Sequence, residues 1–240
     1  EPRSPVTEAF RSLRTNLEFA SVEKPIQSIM IASPNPSEGK TTLAVNLAMV
    51  FAQGGKDVAL VDADMRRPKV HRFLGISNRV GLSDIFLNHR TIQAIERPWK
   101  DSSLSVITSG SLPPNPSELL GTDKMIRFVE DLKEKKNIVV IDSPPFLVSD
   151  ASIIASRVDG VILVIQPGRT HAGAIQTSLE QLERINARVL GVVFNRIPRN
   201  RGYYYGGYHH YSQYSSYKGY QGYYCNYHED GHKRVRFRRK

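Results

Sequence analysis

The chain has 240 residues, enough for one α/β domain of about 200 residues and an appendage. A single cysteine, Cys225, excludes a disulfide framework, and no apolar run approaches the roughly 20 residues that would cross a bilayer. The net charge of +10 lies mostly at the C-terminus, where residues 199–240 hold nine Lys/Arg and two Asp/Glu, a net +7. We therefore expect a cytoplasmic protein whose globular part has no nucleic-acid partner.

Residues 4–20 predict an amphipathic helix that begins at an N-cap serine, Ser4, followed by Pro5 in the first turn. Apolar residues recur at helical spacing on the face expected to pack on the core: Phe10, Leu13, Leu17 and Ala20. A charged stripe with a spacing of three runs along another side: Glu8, Arg11 and Arg14. From spacing alone, the stripe is either a solvated face with an internal ion pair or a contact surface.

Residues 33–42, SPNPSEGKTT, lie between an apolar run at 29–32 and an alanine-rich helical pattern. In a strand–loop–helix arrangement of this kind, backbone N–H groups, the helix dipole and the Lys40 ammonium face one anion. Thr41 then offers a hydroxyl to Mg²⁺. The usual motif has a glycine six positions before the lysine, where this chain has Pro34. The loop predicts a nucleotide site formed by Ser37, Glu38, Gly39, Lys40, Thr41 and Thr42.

Two acids follow the second predicted strand, at 57–61, where the chain continues as VDADMRRP. Asp62 and Asp64 should therefore lie near the carboxyl edge of a parallel sheet, where open α/β sheets bind ligands. Beside a magnesium nucleotide, one acid can hold the metal shell while the other takes a proton from an incoming hydroxyl.

Another buried-strand pattern, NIVVIDSPP at 137–145, ends in Asp142. We expect this carboxylate to hold Mg²⁺ through water, and the loop at 143–150 to sense the γ-phosphate. His71 and His89 are expected at the surface, because no second histidine or acid stands at metal-ligand spacing.

The remaining pattern alternates strands with helices, which predicts parallel pairing and right-handed crossovers throughout. The other predicted elements are strands at 105–108, 160–166 and 188–194 and a helix at 171–186. The sequence thus predicts an α/β fold with a P-loop NTPase-like parallel sheet flanked by helices.

The composition changes after Pro198. All eleven tyrosines fall in one Gly- and Ser-rich segment without apolar periodicity: Tyr203, Tyr204, Tyr205, Tyr208, Tyr211, Tyr214, Tyr217, Tyr220, Tyr223, Tyr224 and Tyr227. Such a segment is typical of a disordered tail, so we divide the chain into a domain at 1–198 and a flexible tail at 199–240. An RNA-binding or condensation-prone tail is possible from composition, but beside a kinase-like site phosphate acceptors on a tether are favoured.

With these motifs, the chain resembles the bacterial tyrosine kinases (BY-kinases) of the polysaccharide co-polymerase system over essentially all 240 residues. The shared patterns are a loop ending in GK[ST] without its first glycine (38–42), apolar residues followed by DxDxR (61–66), and the apolar run ending in Asp142. The resemblance implies an ATP-dependent tyrosine autokinase that phosphorylates its own tail tyrosines, largely between subunits.

The resemblance also implies roles for individual residues. Thr41 would bind Mg²⁺ and Asp142 would support the ion through water. Asp62 would also belong to the metal site and, with Asp64 beside it, would activate the tyrosine hydroxyl. Lys40 completes the catalytic set, and Asn195 would read adenine. The charged stripe of the first helix matches an ExxRxxR oligomerisation pattern: Glu8, Arg11 and Arg14.

The implied partners are other copies in a ring, a transmembrane co-polymerase segment or other activator, and a cognate tyrosine phosphatase. The implied place is the inner face of the plasma membrane, in capsule or exopolysaccharide synthesis and export. Each phosphate adds roughly −1.5 to −2 charge, so four or five would reverse the tail's +7. We hypothesise that unmodified tails hold the ring together and that phosphorylation loosens it.

One function of another class stays open: a nucleotide-dependent assembly scaffold of the chromosome-partitioning type. The signature lysine of that class would stand five residues before the loop lysine, where this chain has Asn35. An Asp62 variant discriminates, because it should abolish phosphotyrosine but spare nucleotide binding only in a kinase.

Overall fold

The computed structural model describes residues 4–87, 89–100 and 102–197. The predicted tail at 199–240, with its eleven tyrosines, lies outside the described residues. In the described part, no helix combines the length and the apolar character needed to cross a bilayer.

The described chain alternates helices with the strands of one seven-stranded sheet. The strands are β1 Ser28–Ala32, β2 Val58–Asp62, β3 Arg97–Pro98, β4 Leu104–Ile107, β5 Ile138–Asp142, β6 Gly160–Ile165 and β7 Val189–Phe194. The longer helices are α1 Pro5–Glu23, α2 Lys40–Gln53, α7 Asp123–Lys135 and α9 Ala172–Arg184. The shorter helices are α3 Val70–Leu74, α4 Leu82–Leu87, α5 Ile92–Ile95, α6 Pro116–Leu120 and α8 Ser149–Ala155.

The sheet has the order β3-β4-β2-β5-β1-β6-β7, with β5 and β1 at its centre. The strands β1, β2, β5 and β6 are buried at every position. Continuous apolar runs are typical of parallel strands covered by helices on both faces. Most pairs are indeed parallel, which confirms the predicted fold class, and their carboxyl ends meet at one edge.

The prediction of parallel pairing throughout is wrong at one edge, where β3 pairs antiparallel with β4. The chain between these strands is too short for the crossover that a parallel pair needs, so it turns back directly. Pro98 has no N–H to donate, and an edge strand tolerates this loss.

Helices cover both faces of the sheet and form two separate apolar cores. One core joins the sheet to α1, α2 and α3, and the other joins it to helices α4 to α9. The predicted packing face of α1 is confirmed, because Leu17 is buried and the other apolar positions contact the same core: Phe10, Leu13 and Ala20. The predicted N-cap is confirmed as well, since Thr7 N donates to Ser4 Oγ at 3.1 Å.

Candidate functional site

The phosphate-loop motif lies at the carboxyl edge, where β1 ends at Ala32 and α2 begins at Lys40. Gly39 precedes the helix with φ of +105°, a left-handed conformation that favours glycine. A Cβ at this position would clash with Asn195 Nδ2, so a larger residue would displace the Asn195 amide from the loop. Within the described part, no side chain caps the N-terminus of α2, which leaves the helix dipole directed at the loop.

Lys40 is buried, and its Nζ donates to Ser33 Oγ at 3.1 Å. Ser33 Oγ in turn donates to the carbonyl oxygen of Asn35 at 2.7 Å. Burial lowers the pKa of Lys40, although the Asp142 carboxylate acts in the opposite direction. The loop thus holds a partly desolvated cation beside acidic groups, where an anionic ligand would find strong attraction.

The Glu38 side chain stabilises the loop from inside. Its carboxylate is buried and accepts hydrogen bonds from Asn35 N at 2.9 Å, Asn35 Nδ2 at 3.1 Å and the Thr170 hydroxyl. Asn195 Nδ2 donates to the Glu38 carbonyl oxygen at 2.9 Å. The side chain of Glu38 therefore fixes the shape of the loop, so that any ligand role predicted for Glu38 falls to its backbone.

The other residues predicted to bind the nucleotide lie around the hydrogen-bond network of Glu38. Ser37 is exposed and has φ of +67°, and Thr42 is half-buried in the first turn of α2. Asn195, predicted to read adenine, lies directly after β7, where its amide reaches the loop.

Asp62 and Asp142 lie side by side at the ends of β2 and β5, which pair in register. Both carboxyl groups are buried, and each raises the cost of ionising its neighbour. Burial, followed by the charge of Asp142, raises the pKa of Asp62 well above its ordinary value. Burial raises the pKa of Asp142 to about 7, opposed by a hydrogen bond from Thr41 and by the charge of Lys40. The carboxyl edge of the sheet therefore carries two neighbouring carboxyl groups whose pKa values are both raised.

The loop after β2 folds back onto Asp62. Asp62 Oδ2 accepts from Lys69 N at 3.1 Å and Val70 N at 3.0 Å, and Oδ1 accepts from Asp64 N at 3.2 Å. Asp64 is half-buried, and its Oδ1 accepts from Arg67 N at 2.9 Å. The two acids therefore also determine the course of the backbone from 62 to 70.

The residues present fit a magnesium ion. Asp142 Oδ1 is buried and has no hydrogen-bond partner among the described residues, while the Thr41 hydroxyl contacts the same carboxylate. A buried acceptor without a partner is costly, and a cation or its water shell would satisfy it. The described residues hold no cluster of three or more His, Cys, Asp or Glu able to bind a metal without further ligands. This agrees with a site in which phosphate oxygens and water complete the coordination.

The structure brings together four predicted catalytic residues, because electrostatic interactions link the side chains of Lys40, Asp62, Asp64 and Asp142. The predicted oligomerisation residues lie elsewhere. Arg14 Nη1 donates to the Val50 carbonyl oxygen at 2.9 Å, near the far end of α2 and about 15 Å along the helix from the phosphate loop. Arg11 and Glu8 form an exposed ion pair of 3.1 Å.

Sequence reasoning missed several contacts of this edge: Ser33 with Lys40, Thr170 with Glu38, and Arg66 with Asp150. Ser33 is close to the motif in sequence and could have been found there. The Glu38–Thr170 and Arg66–Asp150 pairs join segments separated by 132 and 84 residues, so no local pattern indicates them. Of the two histidines expected at the surface, His89 is exposed and His71 is half-buried.

A comparison with protein-family models matches residues 29–204 to the CobQ/CobB/MinD/ParA nucleotide binding domain. Among curated proteins, the chain is 40% identical over 209 residues to tyrosine-protein kinase YwqD of Bacillus subtilis, covering 87% of this chain and 88% of the relative. It is 34% identical to tyrosine-protein kinase etk of Escherichia coli over 82% of this chain and 27% of the relative. Relatives of the chain thus occur both at similar length and within much longer proteins.

Solved structures agree with this similarity. The kinase domain of Escherichia coli tyrosine kinase ETK superposes with a TM-score of 0.77 at 34% identity, covering 85% of this chain and 82% of that chain. The septum site-determining protein MinD of Pyrococcus horikoshii, solved with Mg-ADP, gives a TM-score of 0.64 at 22% identity over 73% of this chain and 72% of that chain. The second match supports the fold alone.

Proposed function

The chain belongs to the bacterial tyrosine-protein kinases built on the CobQ/CobB/MinD/ParA nucleotide-binding domain, and we propose that it is an ATP-dependent autokinase of its own C-terminal tyrosines. The observation that supports this most strongly is the buried pair Asp62 and Asp142 beside Lys40, at the end of the phosphate loop. Such an edge offers a place for phosphate, a place for a divalent cation and a base for a hydroxyl.

Each side chain has a distinct part in the proposed reaction. Lys40 and the uncapped N-terminus of α2 attract the phosphates, and the Glu38 network holds the loop in place. Thr41, with Asp142 acting through water, would hold Mg²⁺, which would supply positive charge to the phosphate oxygens. Asn195, which contacts the loop from β7, is placed to meet the nucleotide base.

The transfer step exchanges one bond to phosphorus for another. The bond between the γ-phosphorus and the oxygen bridging to the β-phosphate breaks, and a bond from the tyrosine oxygen to phosphorus forms. The tyrosine proton passes to the Asp62 carboxylate, and ADP leaves with the electron pair of the broken bond. The raised pKa of Asp62 makes its ionised form a stronger base than an ordinary aspartate. Its Oδ2 accepts two backbone hydrogen bonds, but Oδ1 accepts only one and therefore keeps a lone pair for the tyrosine proton.

The acceptors in this proposal are the eleven tyrosines at 203–227, presented largely by neighbouring copies. Support comes from the composition, since the first 198 residues contain no tyrosine. We further propose a ring assembled through α1, a membrane-bound activator segment and a cognate phosphatase, at the inner face of the plasma membrane in polysaccharide synthesis. Several named relatives, of which this chain covers 27%, are longer proteins able to carry an activator in the same chain.

The test is mass spectrometry of the purified protein after incubation with Mg·ATP, beside the variant Asp62→Asn. We expect phosphate on tyrosines between 203 and 227 in the natural chain and none in the variant. Nucleotide binding, measured separately by calorimetry, should persist in Asp62→Asn.

The matched control is Asp57→Asn, which neutralises an exposed aspartate just before the same strand and should behave as the natural chain. A natural chain that makes no phosphotyrosine, even with a candidate activator peptide, would overturn the autokinase. Equal phosphorylation of Asp62→Asn would show that Asp62 is not the base, while the kinase activity itself would still be supported.

A further inference from the structure

Three segments around the candidate site meet at one ion pair. Arg66, in the loop after β2, contacts Asp150 in the first turn of α8 through two hydrogen bonds, Nε to Oδ2 at 2.8 Å and Nη2 to Oδ1 at 3.0 Å. Ser117, in α6, lies between them: its hydroxyl donates to Asp150 Oδ1 and accepts from Arg66 Nη2 at 3.1 Å.

The two partners differ in their surroundings. The Asp150 side chain is only 1% exposed, whereas that of Arg66 is 44% exposed. Burial alone would raise the pKa of Asp150, but the hydrogen bonds from Arg66 and Ser117 hold it below its ordinary value. Asp150 is therefore a buried anion that depends on Arg66, and the planar guanidinium fits the carboxylate in a two-pronged geometry.

The pair links the two loops that begin directly after Asp62 and Asp142, the last residues of β2 and β5. Arg66 follows Asp62 and Asp64 in a loop that is otherwise folded on itself through backbone hydrogen bonds to those acids. Asp150 ends the loop that leaves the sheet at Asp142. The ion pair therefore joins the loop after β2 to the start of α8, which follows the loop after β5.

We propose that Arg66 and Asp150 are positioning residues whose ion pair holds the loop after β2, which carries Asp64 and folds back onto Asp62, against the loop after β5 in the arrangement needed for phosphoryl transfer. The proposal rests on the kinase function argued above. Neither residue needs to touch the nucleotide, since the pair acts through the carboxylates that it aligns. Positioning of this kind affects the chemical step more than ground-state binding, because a displacement of about 1 Å can cost about 100-fold in rate.

A double-mutant cycle with Arg66→Gln, Asp150→Asn and the combined variant tests the pair. We expect each single variant to lower the phosphotyrosine rate at saturating ATP about 10- to 100-fold, with KM for ATP within about threefold of the natural value. The combined variant should be no slower than the slower single variant, because both remove the same bridge. Arg66→Lys, which keeps the charge but cannot make the two-pronged pairing, should give an intermediate rate.

The matched control is Arg72→Gln, which removes an exposed arginine of α3, a few residues further along the chain. It should leave the rate unchanged. Additive effects in the cycle, an unchanged rate in Arg66→Gln, or a parallel loss of nucleotide binding and of the folded state would each overturn the positioning role.

Failure of the kinase proposal is distinguishable, because it would appear as absent phosphotyrosine in the natural chain. In that case the same cycle is measured on ATP hydrolysis, which depends on the same two loops without a tyrosine. Coupled losses there would support the bridge, and uncoupled rates would overturn it.

Discussion

The two ends of helix α2 differ in how their polar groups are satisfied. At the C-terminal end, Gly54 N donates to Val50 O and Phe51 O, and the Arg14 guanidinium adds a bond to Val50 O. At the N-terminal end no side chain caps the helix within the described residues, and the nearby Asp142 Oδ1 lacks a partner. The polar groups at the C-terminal end of α2, called the closed end below, are thus paired within the protein. Those at the N-terminal end, called the open end, remain available, and a nucleotide there would supply the missing contacts.

The largest effect is expected from removing the positive charge of Lys40 at the open end of α2. We expect Lys40→Met to weaken Mg·ATP binding by about 100-fold or more, because the phosphates lose their buried positive partner. Lys56→Met removes an exposed lysine just beyond the closed end and should leave binding within about twofold. Titration calorimetry of both variants measures the difference, and equal binding by the two would contradict the assignment.

Alanine substitutions of a glycine near each end of α2 distinguish the effect of side-chain packing from that of backbone strain. Gly39→Ala and Gly55→Ala both place a side chain at positive φ, +105° and +83°, but only the first meets Asn195 Nδ2. Both should lose about 1 kcal/mol of unfolding free energy from strain, and Gly39→Ala should lose more because the Asn195 amide must move aside. Gly39→Ala should in addition lose nucleotide affinity about tenfold, because the loop must move. Adding Asn195→Ala to Gly39→Ala relieves the clash, so no recovery of unfolding free energy would argue against this packing.

The two buried acids, Asp62 and Asp142, predict that the stability of the nucleotide-free protein depends on pH. The pKa of Asp142 is about 7 in the folded chain against an ordinary 3.8, so between these values the folded chain keeps a proton that the unfolded chain has released. The free energy of unfolding should therefore fall as pH rises from about 4 to 7, by on the order of 4 kcal/mol. The raised pKa of Asp62 adds in the same direction.

Urea unfolding at pH 5 and pH 7.5 measures this slope. Asp142→Asn should flatten it, whereas Asp131→Asn, an exposed aspartate of α7, should not. A stability that stays constant with pH in this window would show that the buried acids ionise without cost.

The smallest effect is expected at the closed end. Arg14→Gln should cost about 1 kcal/mol of unfolding free energy, because the last carbonyls of α2 lose a cationic donor. Arg11→Gln breaks only an exposed pair with Glu8 and should cost a few tenths of a kcal/mol at most. Thermal unfolding of both, with size measurements of the assembly, also separates this internal role of Arg14 from its proposed role in oligomerisation.

The sequence predicts the open end better than the closed one. A strand followed by Gly-Lys-Thr or by an acid identifies the carboxyl edge, since strand direction and residue chemistry are both local. That Asp62 and Asp142 become neighbours depends on β2 lying beside β5, and strand order follows from the packing of the whole sheet. Spacing places Arg14 in the charged stripe of α1, but it does not show that the long side chain also reaches the Val50 carbonyl oxygen.

The central place of β1 has a consequence for synthesis of the chain. Its partners are β5, where Ser28 pairs with Val139, and β6, where Ile29 pairs with Gly160. At roughly 5–20 residues per second, a ribosome needs on the order of 10 seconds or more to deliver these partners. Asn195, which holds the Glu38 carbonyl oxygen, emerges later still. A nascent chain thus exposes the apolar β1 to chaperones well before the contacts of its phosphate loop are complete. We expect nucleotide binding to begin only after the chain has been synthesised through β7.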